Sequence, residues 1–144
     1  RIHQSGHLAE LPRERADLVK EGIACYKNIR QDIRKALPFL PLDIADNEDL
    51  WVCGGLKLDN KAYLAVWKRE MEGKNNKRRL QAGTLCTDTT LSIPLGSLPF
   101  AEKGVKVSCL YPEKEPVDFQ VQGNILTVNF DKPVMARLFE IKPL

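Results

Sequence analysis

Between Pro12 and Leu37, apolar residues recur at Ala16, Val19, Ile23, Tyr26, Ile29 and Ile33, always three or four apart. That spacing predicts one amphipathic α-helix. Pro12 suits its first position. Glu14 and Asp17 complement the positive end of the helix dipole, and Arg34 and Lys35 the negative end. At about 24 residues the helix would be about 36 Å long. Gly22, in its middle, costs about 1 kcal/mol relative to Ala; its expected use is to let another backbone come close. Such a helix is stabilised by packing more than by propensity, so it needs a partner surface. Leu37-Pro38-Phe39-Leu40-Pro41-Leu42 then stops it, because each proline disfavours the α region at the residue before it.

Beyond the prolines the period falls to two. Leu50 to Leu58 and Lys61 to Arg69 read as strands joined by a two-residue turn at Asp59-Asn60. Leu85 to Ile93 is a third strand-like run. Val105, Val107, Cys109 and Tyr111 alternate with more polar residues. Val117, Phe119 and Val121 do the same, Gly123-Asn124 turns the chain, and Leu126, Val128 and Phe130 follow. Val134 to Ile141 ends the series, and Lys74 to Arg79 is a polar loop. Seven or eight short strands at about 8–12-residue spacing predict an antiparallel β-sandwich. The fold class is therefore mainly β, with one long helix in front. The division falls between residues 1–43 and 44–144.

Composition changes this picture little. With 22 basic and 19 acidic residues, the net charge of +3 is too balanced to point to nucleic acid. No apolar run approaches the roughly 18 residues a membrane helix needs. The sequence opens on Arg1 with no signal peptide, and the expectation is that its true start lies upstream. Cys25, Cys53, Cys86 and Cys109 are widely spaced, which reads as reduced, mostly buried thiols in a cytoplasmic protein rather than zinc ligands. His3 and His7 are four apart, but Gly6 argues against a helix between them. No metal or cofactor is expected.

The search for chemistry is equally sparse. The acidic run at Asp46, Asn47, Glu48 and Asp49 lacks the Gly and the closing Glu of a calcium loop and reads as a solvated linker. The basic run near Lys77 has no interleaved aromatics for base stacking and reads as a hairpin tip. Gly54-Gly55 precedes no helix, so it is no phosphate loop, and Ser5-Gly6 lacks a nucleophile-elbow context. Trp51, Tyr63 and Trp67 either fill a core or offer faces to sugar rings. Lys68 and Arg69, following Trp67, are expected to point to water.

Several motifs in a fixed order resemble one family. They are Arg1-Ile2-His3-Gln4-Ser5-Gly6-His7-Leu8, Leu18-Val19-Lys20-Glu21-Gly22-Ile23, Tyr26-Lys27 with Ile29-Arg30, and the proline segment from Leu37 to Leu42. Gly54-Gly55-Leu56, Tyr63 to Arg69, Val105-Lys106-Val107, Tyr111-Pro112 and Ala136-Arg137-Leu138-Phe139 follow. Together they resemble the C-terminal end of a bacterial melibiase-type α-galactosidase, over nearly the whole chain. One departure is Asp43, where the family tends to have Gly after Pro-Leu. The resemblance implies that residues 1 to about 8 are the last strand of a (β/α)8 barrel and the long helix its last helix. The proline segment would be the linker, and residues from about 44 a C-terminal β-sandwich. It places the catalytic aspartates on earlier barrel strands, so this chain carries no catalytic residue. Retaining chemistry needs two carboxyls about 5 Å apart. Ser5 and Gly6 would border the galactose pocket of the whole enzyme, and a galactoside would be bound only there. The other readings are a carbohydrate-binding β-sandwich, which requires an exposed Trp51 or Trp67, and a protein-interaction module that self-associates through the helix stripe or docks the helix on the sheet.

Overall fold

A computed structural model describes residues 10–70, 86–115 and 117–144. It is mainly β, with antiparallel sheets and one α-helix. Helix α1 spans Arg13–Ile33, 21 residues, with Pro12 at its N-cap. It stops short of the predicted Leu37. Lys35 and Ala36 both donate their N–H groups to the Asp32 carbonyl, at 2.9 and 3.0 Å, and Pro38 bars Leu37 from helical geometry.

The proline segment is more than a linker. Leu37–Phe39 forms β1 and pairs antiparallel with β2, Trp51–Lys57. It lies at the rim of its sheet, where proline's missing N–H does no harm. The sequence pattern missed it because two prolines in six residues hide any alternation. Gly55 makes the pairing feasible: a Cβ there would fall 2.3 Å from the Phe39 ring and 2.5 Å from the Tyr63 carbonyl. A few residues on, Asp43 adopts φ +61°, left-handed geometry that favours Gly.

The remaining strands are β3 (Ala62–Lys68), β4 (Thr90–Pro94), β5 (Val105–Tyr111), β6 (Asp118–Gln122), β7 (Ile125–Asn129) and β8 (Met135–Pro143). One sheet has the order β1-β2-β3-β8-β5 and the other β4-β7-β6. The β2–β3 turn closes with the Leu58 N–H donating to the Lys61 carbonyl at 2.8 Å, which leaves Asp59-Asn60 at the tip as predicted. Leu85 lies outside the described residues; in the rest of the run to Ile93, Cys86 makes only an isolated bridge to Leu91 and the strand begins at Thr90. Ahead of it the Thr87 Oγ1 accepts the Thr90 N–H at 2.9 Å, a side-chain turn that competes with strand pairing.

Inward residues of both sheets meet in one hydrophobic cluster. Leu64, Val66, Phe139 and Ile141 come from the larger sheet, and Leu91, Ile93, Leu126 and Val128 from the smaller. Trp51 packs on Phe130 with ring centroids 5.3 Å apart, and Phe119 meets Phe139 edge-on at 5.4 Å. The β2–β3 register sets Trp51 opposite Lys68 and Val52 opposite Trp67. Side chains alternate across a sheet, so the two tryptophans lie on opposite faces: Trp51 is 2% exposed in the core and Trp67 is 43% exposed outside it.

The same register overturns the expectation for Lys68. It points inward, is 4% exposed, and donates to the Phe130 carbonyl at 2.8 Å with its ammonium 5.8 Å above Trp51. Arg69 is occupied as well: its Nη1 donates to the Asp46 carbonyl at 2.9 Å. The acidic run is a closed turn, exposed at Asp46, Asn47 and Glu48 as expected and buried only at Asp49. Asp46 Oδ1 accepts the Glu48 and Asp49 N–H groups at 2.7 and 2.9 Å, and Asp49 Oδ2 accepts the Asp46 N–H at 2.9 Å. Of the four cysteines only Cys53 is buried; Cys25, Cys86 and Cys109 are half-buried.

Candidate functional site

Ser5 and Gly6 lie outside the described residues, as do His3, His7 and the basic run near Lys77. Among the described residues, no group of three or more His, Cys, Asp or Glu is placed to hold a metal ion. No described helix is long and apolar enough to cross a membrane. The polar contacts that do converge lie where α1 meets the outward face of the larger sheet.

At the C-terminal end of α1, Asp32 Oδ2 accepts hydrogen bonds from Lys61 Nζ at 2.8 Å and Tyr63 OH at 2.6 Å. The bonds from Lys61 and Tyr63 hold the Asp32 carboxyl below its usual range. Burial, then the bond to Asp32, pushes the Tyr63 phenol well above its usual value. Asp32 is thus an ionised acceptor and Tyr63 a neutral donor near pH 7. Neither is tuned for proton transfer at that pH, and the trio is a clasp between helix and sheet.

The second contact lies at mid-helix. Tyr111 OH donates to the Leu18 carbonyl at 3.1 Å. A Cβ on Gly22 would lie 3.3 Å from the Tyr111 ring, so Gly22 admits an aromatic side chain and not the backbone expected from sequence. The Glu113 N–H donates to Glu21 Oε1 beside it. Burial raises the Cys25 and Cys109 thiols above their usual value, which lowers their thiolate fraction and their nucleophilicity.

The contacts through Gly22, Ile29 and Asp32 define the helix face that meets the sheet. Each residue step turns the helix by about 100°, so Val19 and Ile23, one step beyond Leu18 and Gly22, fall on its flank. There, Leu11, Ala16, Val19, Lys20 and Ile23 line an open groove of about 270 Å³. No residue of α1 is fully buried. A second cleft of about 270 Å³ runs between helix and sheet, with Ile29, Ile33, Tyr63 and Leu138 as walls and Gly54, Gly55 and Ala65 as floor. Trp67 continues this outward face. Its cross-strand neighbours are Val52 and Ala136, which offer an apolar surface and no side-chain hydrogen bond to a sugar hydroxyl. Among the described residues, this side of the molecule presents apolar clefts and the hydrogen bonds that hold the helix to the sheet.

No protein-family profile matches the chain, and no curated protein matches it.

Proposed function

We propose that the chain is the C-terminal, non-catalytic part of a melibiase-type α-galactosidase, an enzyme that releases terminal α-galactosyl residues. In this reading α1 is the last helix of the catalytic barrel, and the two sheets face each other as a β-sandwich that supports it. The observation that carries the reading is the two-sided helix. One side of α1 is clasped to the sheet through Tyr111 and Asp32, while Val19 and Ile23 face an open apolar groove. A barrel helix shared between a neighbouring barrel layer and a supporting domain has those two demands. Asp43 adds support, because the position where the family tends to have Gly has a Gly-favouring φ of +61°.

The chemistry would then belong to aspartates on earlier barrel strands, with Ser5 and Gly6 at the border of the galactose pocket. The discriminating observation is the reading frame upstream of Arg1. A long frame with two barrel-strand aspartates supports the proposal, and a stop codon close upstream refutes it. The purified 144-residue chain should leave an aryl α-galactoside intact; hydrolysis that tracked its concentration would overturn the non-catalytic role.

A further inference from the structure

The outward face of the β4-β7-β6 sheet differs chemically from the larger sheet, whose strands carry Lys57, Lys68, Lys106, Arg137 and Lys142. None of its three strands contains a Lys or Arg, in a chain with 22 of them. The register aligns Thr90, Asn129 and Asp118 in one cross-strand row, and Ser92, Thr127 and Gln120 in the next. Ser92 is only 6% exposed although it lies on the outward side, and its Oγ is 3.0 Å from Thr127 Oγ1. The floor of this face is therefore recessed. Above it is a cleft of about 230 Å³ lined by Thr90, Asp118, Phe119, Gln120, Thr127 and Asn129.

Apart from the Phe119 ring, the side chains of the cleft are two hydroxyls, two amides and one carboxylate. They present many donors and acceptors and no cation. An anion finds no counter-charge here, and an apolar ligand would desolvate polar groups without replacing their hydrogen bonds. A neutral molecule with adjacent hydroxyls matches the set, because each hydroxyl both donates and accepts. Carboxylate and amide oxygens accept from neighbouring hydroxyls, and the amide N–H groups donate back. We propose that this cleft binds a single sugar residue. The site is independent of the helix face and does not rest on the galactosidase reading.

The test is a titration of the isotope-labelled chain followed by amide resonances, with galactose, glucose and mannose in turn and glycerol as the control. The cleft is small and open, so the dissociation constant should be weak, about 1–10 mM. At least one sugar should shift the Gln120, Thr127 and Asn129 resonances saturably, and glycerol should not. Gln120→Ala and Asn129→Ala, both at exposed positions, should each weaken binding about tenfold, while Gln122→Ala, on the same strand but outside the cleft, should leave it unchanged. The proposal fails if no sugar gives saturable shifts, if the shifts map elsewhere, if glycerol reproduces them, or if both cleft variants bind as well as the parent.

Discussion

Replacing Asp32 with Ala removes the acceptor from the clasp and leaves the Tyr63 hydroxyl behind. Tyr63 is 4% exposed, so its O–H would lack the partner it has at 2.6 Å. An orphaned buried donor costs about 1–3 kcal/mol. The lost Lys61 ion pair adds less, since side-chain exposures of 27% and 26% put it among partly solvated pairs worth about 0–1 kcal/mol. Asp32→Ala should therefore cost about 2 kcal/mol, or a melting temperature about 4–8 °C lower. Tyr63→Phe removes the donor instead, and Asp32 keeps Lys61, so it should cost about 1 kcal/mol. The double variant should cost less than the sum of the two, because the second change deletes the orphan created by the first. Urea unfolding followed by far-UV circular dichroism measures all four corners of this cycle. Additive costs, or an Asp32→Ala cost no greater than that of Tyr63→Phe, would refute the clasp. The pH arm has a definite sign. Asp32 has a depressed folded-state value, so its stabilisation is present in full above the ordinary Asp value of about 3.9 and disappears as pH falls through the lower folded one. In Asp32→Asn that acid-range slope should shrink.

Trp51→Ala should cost about 3–5 kcal/mol, whereas Trp67→Ala should cost under about 1 kcal/mol, because only the first empties a core site; comparing urea midpoints settles the contrast. In fluorescence, acrylamide should quench Trp67 and spare Trp51, and Trp67→Phe should remove the quenchable part. Gly55→Ala should lower stability by about 2 kcal/mol or more, since its Cβ would press on the Tyr63 carbonyl, a backbone atom with little room to yield; unchanged urea unfolding would contradict the close β1–β2 pairing. Asp43→Val should cost about 1–2 kcal/mol and Asp43→Gly much less, because β-branched residues are strongly disfavoured at positive φ; calorimetric melting of both variants gives the ordering.

Spacing along the chain was enough to locate α1, the β2–β3 hairpin and the strands from β5 to β8, because each has one apolar side and a regular period. It missed β1, where prolines interrupt the pattern, and it lengthened β4 past the Thr87 turn, where a side chain competes for the backbone. The candidate surfaces were less legible. The apolar stripe of α1 was visible, and its members Ile29 and Ile33 do reach the sheet, but the closest holds run beside it through Gly22 and Asp32. Those two are a glycine and a carboxylate, so no hydrophobicity pattern marks them as docking contacts. The polar cleft over Thr90, Asn129 and Gln120 was also hidden, since it joins strands about 30 residues apart in sequence.

Trp51 and Trp67 show where local pattern runs out. Their strands and the turn between them follow from residue types and spacing, which are properties of neighbouring residues. Which ring enters the core depends on register, because a shift of one residue would exchange the two faces. The register is held by contacts spread across the molecule: Lys68 reaching the Phe130 carbonyl, Trp51 donating to the Thr87 carbonyl, and β8 pairing with β3. The proline segment behaves the same way. Its prolines end the helix by local sterics, but Leu37–Phe39 becomes a strand only because Gly55, distant in sequence, leaves space for the Phe39 ring.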